Sequence, residues 1–233
     1  MSYLDTLNTT QKNNANLIIE TAKENGITNP TTIGAILSIV SKESNFIPKS
    51  ENLNYSAKRI TEVWKKIPLS VAKNLENNPI QLANAVYGGK FGNNKINDGF
   101  LYRGRGFNQL TFKGNYKKIG DLINVDLVNS PELANNPKIA SKILIAFYQL
   151  SAKNNKLNLN NLGSEKQTID TIYQINAGKV NKPIIDTTGG YKKAINRFNE
   201  LLVYAGGHKK QIGSAFFFLT ALISYFLYKK FKK

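Results

Sequence analysis

The chain has 233 residues, 41% hydrophobic and 20% charged, a composition suited to one buried domain with an appendage. Cysteine is absent and His208 is the single histidine, which rules out a thiol nucleophile and disulfides and argues against a serine–histidine relay or multi-histidine metal site. The formal charge is +17, and the six lysines after His208 leave +11 on residues 1–208, a basic body suited to a polyanionic wall, anionic lipid or nucleic acid without choosing among them.

Met-Ser-Tyr-Leu-Asp at the start carries neither a basic n-region nor an apolar h-region, so no secretory signal peptide is expected. Asn29 can cap a helix that has Pro30 at its first position, with Ile33, Ile36, Leu37 and Val40 on one apolar face. Similar stripes recur at Ile60, Val63, Trp64 and Ile67, at Leu82, Ala83 and Val86 after Pro79, and at Ile139, Ile143, Leu144 and Phe147 after Pro137. Ser164 with Gln167 forms a capping-box pattern ahead of Ile169, Ile172 and Ile175, and Tyr191, Ala194, Phe198, Leu201 and Leu202 mark the last helix of the body. Between Gly88 and Gly114 glycines are too frequent for a helix, so a loop with a small β-hairpin is expected there as a cleft wall.

Residues 211–228 carry no charge and are bracketed by Lys209 and Lys210 on one side and Lys229, Lys230, Lys232 and Lys233 on the other. As a helix this stretch extends about 27 Å against roughly 30 Å of bilayer hydrocarbon, so a single C-terminal transmembrane helix with snorkelling lysines is expected. The division that follows is a main domain over 1–206, a linker at 207–211, a membrane span at 212–228 and a basic tail at 229–233. The lysine-richer tail favours the inner side of the membrane, which puts the body outside.

Glu43 lies three residues after Val40 and seven after Ile36, so its carboxylate falls on the apolar face at a helix C-terminus. Partial burial and the negative end of the helix dipole both disfavour its ionised form there, as a general acid at neutral pH requires. Glu51 follows eight residues later, past the helix-ending Pro48, and is a candidate for the second carboxylate. Two glutamates at this spacing are a weak signal taken alone, and Asp98 and Glu62 remain alternatives.

The stretch KESNFIPKSENLNYSA, followed by ANAVYGGKFGN, DGFLYRGRGFNQLTFKGNY and QINAG, resembles glycoside hydrolase family 19, particularly its phage endolysin and bacterial chitinase-like members. The resemblance covers roughly residues 30 to 205. It implies a mainly α, lysozyme-like fold of two lobes, an inverting mechanism, and no cofactor or metal. By the same resemblance Glu43 is the acid and Glu51 the base, although the spacer between them is shorter than is usual in compact relatives. Gln109 and Thr111 would hold substrate and the attacking water, Asn115 and Asn176 would bind sugar, and Arg197 would support the carboxylates. Tyr102, Phe107 and Tyr87 are read as stacking faces for sugar rings, and Arg103 and Arg105 as braces of the glycine-rich loop.

The function implied is a peptidoglycan-degrading glycoside hydrolase cleaving β-1,4 linkages between N-acetylated sugars. Its expected partners are wall glycan strands and a lipid membrane contacted through residues 212–228, either a virion membrane or a host cytoplasmic membrane, with no nucleic acid. The alternatives are a chitinase and a catalytically inactive wall-binding or virion structural protein on the same fold.

Overall fold

The computed structural model describes residues 1–186 and 188–206. They fold as helices α1 (Thr9–Glu24), α2 (Pro30–Glu43), α3 (Ala57–Val63), α4 (Leu69–Leu75), α5 (Pro79–Tyr87), α6 (Asp98–Leu101), α7 (Lys113–Ile123), α8 (Pro137–Asn154), α9 (Glu165–Asn176) and α10 (Gly190–Tyr204). The mainly α expectation therefore holds for this region, and most helix starts are written as side-chain caps. Asn29 accepts from the backbone N–H groups of Thr31 and Thr32, Asn136 from those of Lys138 and Ile139, and Ser164 with Gln167 closes the expected capping box.

The axis of the fold is α2. Every residue from Thr32 to Ser41 is buried, because α1, α9 and α10 pack around it. Its buried hydroxyls bond to backbone: Thr32 donates to the Leu159 carbonyl, Ser38 to that of Gly34, and Ser41 to that of Ser38. The approach of α10 depends on Gly34, where a Cβ would sit 2.6 Å from Leu202 Cα. A methyl cannot displace backbone cheaply, so Gly34→Ala is expected to destabilise by about 1–3 kcal/mol. Thermal denaturation should then show a Tm several degrees lower, and an unchanged Tm would mean that the two helices can separate without loss.

The apolar interior divides into three clusters. The largest joins α1, α2, α8, α9 and α10; a second gathers Tyr102, Leu110, Tyr116 and Ile119 against Ile143 and Ala146 of α8; a third holds Leu53, from the segment before α3, with Ala57, Ile60, Ala72, Leu82, Ala83 and Val86 from α3, α4 and α5.

Two expectations about architecture are corrected. The small hairpin in the glycine-rich segment is a single antiparallel bridge between Arg105 and Leu110, and no strand forms among the described residues. The ladder stops because Phe112 N–H turns away to the Tyr102 carbonyl (2.8 Å) and the chain enters α7. The transmembrane expectation is also corrected: no helix among the described residues is long and apolar enough to cross a membrane. The last of them, α10, carries Lys192, Lys193, Arg197 and Glu200, as befits one face on a core and one in water. The segments 207–211, 212–228 and 229–233 lie outside the described residues.

Candidate active site

Glu43 is the last residue of α2, where backbone carbonyls run out of intrahelical donors. Ser44 N–H caps the Val40 carbonyl (3.0 Å). The Ser41 carbonyl is taken by Arg197 of α10, whose Nη1 lies 2.9 Å from it and 3.2 Å from Ser41 Oγ, while the guanidinium rests 4.1 Å from the centroid of the Tyr3 ring. Arg197 thus braces the helix turn that carries Glu43, its hydrogen bonds going to Ser41 and not to either carboxylate.

The Glu43 carboxylate is about a quarter exposed, and its Oε1 accepts from Lys42 Nζ at 2.7 Å and from Asn176 Nδ2 at 3.2 Å. Asn176 ends α9, so the sequence-predicted acid and one predicted sugar-binding amide meet through a hydrogen bond. The Lys42 stem crosses the start of α10 over Gly190, where a Cβ would collide with Lys42 Cε. The Glu43 carboxylate thus has a cation and an amide donor on one oxygen, contacts that its place on the apolar face did not indicate. Beneath it the Tyr148 hydroxyl is fully buried without a hydrogen-bond partner, and burial, then the charge of Glu43, push this phenol's pKa up.

The turn after Glu43 is unusual. Asn45 and Phe46 have φ of +49° and +60°, a region that side chains enter at a cost. Buried amides on α1 hold it there: Gln11 Nε2 donates to the Asn45 carbonyl (3.0 Å) and Asn14 Nδ2 to that of Phe46 (2.7 Å). Phe46 itself is fully buried in the largest cluster. The chain therefore leaves Glu43 in a fixed direction.

Glu51 is held by a different set of residues. Its N–H donates to the Gly104 carbonyl at 2.8 Å, and the Tyr87 hydroxyl at the end of α5 lies 2.8 Å and 2.9 Å from the two carboxylate oxygens. Burial, followed by the charge and hydrogen bond of Glu51, pushes the Tyr87 phenol's pKa up, so it stays a neutral donor. The neighbouring backbone is clamped as well: Gln109 Nε2 donates to the Lys49 carbonyl (3.1 Å), and Asn135 Nδ2 to Ser50 Oγ (2.9 Å).

Gln109 has φ of +55° and a second, longer contact from Nε2 to the Gly106 carbonyl, so its amide nitrogen is committed to backbone. Thr111 Oγ1 donates to the Gln109 carbonyl (2.8 Å), and Asn115 Nδ2 to that of Thr111 (2.9 Å). Gln109, Thr111 and Asn115 form one run beside the Glu51 segment, and Asn176 stands with Glu43.

Two aromatic expectations are corrected. Tyr102 is 4% exposed, its ring packs edge-on to Tyr116 and its hydroxyl donates to the Val128 carbonyl, so no face is open to a sugar. Phe107 is fully buried. Tyr87 faces Glu51 through its hydroxyl, a role for which its place at the end of the α5 stripe gave no separate signal. Arg103 bonds the Phe100 carbonyl and lies over that ring at 3.9 Å, while Arg105 is buried against the Tyr116 hydroxyl, so both brace the loop as expected. The alternative carboxylates are committed elsewhere: Asp98 is buried and paired with Lys113 (3.5 Å), and Glu62 forms an exposed pair with Arg59. A cavity of about 440 Å³ between α7 and Val128 contains none of the candidate residues.

Residues 74–170 match the glycoside hydrolase family 19 model, described as chitinase class I. The matched segment contains Tyr87, Gln109, Thr111 and Asn115, whereas Glu43, Glu51, Asn176 and Arg197 lie outside it. A glycosyl hydrolase family 19 domain-containing protein of Haemophilus influenzae is 33% identical over 113 residues, which are 46% of this chain and 56% of that protein, so the chain spans about half the length of this relative. Among solved structures, chitinase C from Streptomyces griseus is 19% identical with a TM-score of 0.44, covering 76% of this chain and 60% of that one. A mutant of chitinase C gives 18% identity and a TM-score of 0.46, over 84% and 69% of the two chains. The family match supports a glycoside hydrolase.

Proposed function

We propose that the protein is an inverting glycoside hydrolase that cleaves β-1,4 linkages between N-acetylated sugars, with Glu43 as general acid and Glu51 as general base. The observation that carries this reading is the pair of carboxylates mounted on separate parts of the fold, each with its own holder. Asn176 and Lys42 hold Glu43, while Tyr87 holds Glu51. In the reaction Glu43 protonates the leaving glycosidic oxygen as its bond to the anomeric carbon breaks. Glu51 takes a proton from water attacking the opposite face. For the acid step Lys42 must leave Oε1, and its flexible stem permits that.

The substrate class proposed is peptidoglycan, favoured by the basic body, which suits a wall rich in anionic groups. Chitin is the second reading, favoured by the description of the matching family model. The discriminating assay incubates the protein with purified peptidoglycan and with chitin, counting new reducing ends and reading their anomeric configuration by NMR. Release from peptidoglycan with inverted configuration is expected. Faster release from chitin would select the second reading, retained configuration would overturn the roles given to the two glutamates, and no release from either would overturn the enzymatic reading.

A further inference from the structure

Phe91 is 73% exposed, in the loop between α5 and α6. A single exposed phenylalanine is ordinary on a protein surface. This one differs in three respects.

Its position is fixed by backbone. The Phe91 carbonyl accepts from Gly114 N–H at 2.9 Å, Gly89 N–H donates to the Asn93 carbonyl at 2.7 Å, and the buried Asn93 side chain ties the loop to Lys113 N–H (2.9 Å) and to the Tyr87 carbonyl (3.0 Å). Two phenylalanines here have left-handed backbone, Phe91 at φ +43° and Phe112 at φ +74°. Such residues are strained and persist only where the surroundings over-determine them.

The rings also form a continuous path to the candidate base. Phe91 lies 4.9 Å from Phe112 between ring centroids, Phe112 stands edge-on to Tyr87 at 5.6 Å, and Tyr87 donates to Glu51. The aromatic surface thus begins two ring contacts from a carboxylate. Finally, the exposed Asn115 follows Phe112 by one turn, its N–H on the Phe112 carbonyl at 2.9 Å, and beyond the bond from Nδ2 to the Thr111 carbonyl its amide keeps a second N–H and its oxygen.

We propose that Phe91 and Phe112 form a subsite that stacks one N-acetylhexosamine ring of the glycan strand on the Glu51 side of the site, with Asn115 available to its acetamido group. The apolar face of a pyranose matches an aromatic surface, and an amide beside that surface selects the N-acetylated sugar. The proposal rests on the glycan reading given above but concerns binding, so it can fail separately from catalysis.

The probe is an N-acetylglucosamine tetramer titrated calorimetrically into the Glu43→Gln protein, which prevents turnover. Phe91→Ala in that background is expected to weaken binding about fivefold or more, and Phe91→Trp to restore or tighten it. Ile96→Ala serves as the control for removing an exposed apolar side chain, 93% accessible in the same loop, and should leave affinity unchanged. Tetramer affinity unaffected by Phe91→Ala, an equal loss in Ile96→Ala, or no binding by the Glu43→Gln parent would each overturn the subsite. Phe91-dependent binding by a wild-type protein that hydrolyses neither glycan would sustain the subsite and overturn only the enzymatic reading.

Discussion

Glu43→Gln is expected to lower glycan cleavage by at least about 10²-fold while leaving the fold intact, the usual scale of positioned acid catalysis. The amide keeps the shape of the side chain. Its oxygen still accepts from Lys42 Nζ and from Asn176 Nδ2, the two donors that face Oε1, so the end of α2 has no reason to move. What the amide lacks is a proton to give to the leaving oxygen. Reducing-end release measured beside thermal denaturation separates the outcomes: lost activity at unchanged Tm assigns the acid, lost activity with a lowered Tm assigns a structural residue. Wild-type cleavage by the variant would move the acid elsewhere.

The helices that frame this acid were legible where an apolar stripe and a cap coincide, as at Asn29 before α2 and Asn136 before α8. By contrast α1 left a faint trace, because its sequence TTQKNNANLIIETAKE completes the buried face with Gln11 and Asn14. Those amides are inside because they bind the turn after Glu43, a contact across more than thirty residues that no local pattern records. The stripe through Val63, Trp64 and Ile67 stops early for a related reason. α3 ends at Val63, which is 42% exposed, and Ile67 precedes Pro68, which disfavours helical backbone.

Site residues follow the same division. Glu43 became a candidate from its place on a helical face, and Gln109, Thr111 and Asn115 from their motif. The partners that give them geometry come from distant segments: Tyr87 for Glu51, Asn176 for Glu43, Arg197 for the turn at Ser41. Pairings of that kind depend on tertiary packing, which the spacing of residues along the chain does not encode. The glycine-rich segment misled as a hairpin because glycine marks both tight turns and close approaches. At Gly104 the cause is an approach, since a Cβ there would lie 2.7 Å from Gln109 Oε1.

Glu51→Gln is expected to lose activity on the same scale as the acid variant, about 10²-fold or more, because an amide does not accept a proton from the attacking water. The Tyr87 hydroxyl can still donate to the amide oxygen and accept from its nitrogen, so the loop should hold its position. Azide, a nucleophile that needs no proton removed, should restore part of the turnover by attacking the anomeric carbon in place of water and leaving a glycosyl azide. Tyr87→Phe removes the one hydroxyl that donates to this carboxylate and is expected to lose less activity than Glu51→Gln, since the carboxylate remains but is no longer oriented. If Tyr87 acts only through Glu51, the double variant should be no slower than Glu51→Gln alone, whereas independent roles would multiply the two losses. Full activity in Glu51→Gln would remove the base assignment altogether. Asp98 and Glu62 would be poor replacements, the first buried against Lys113 and the second paired with Arg59 at the surface.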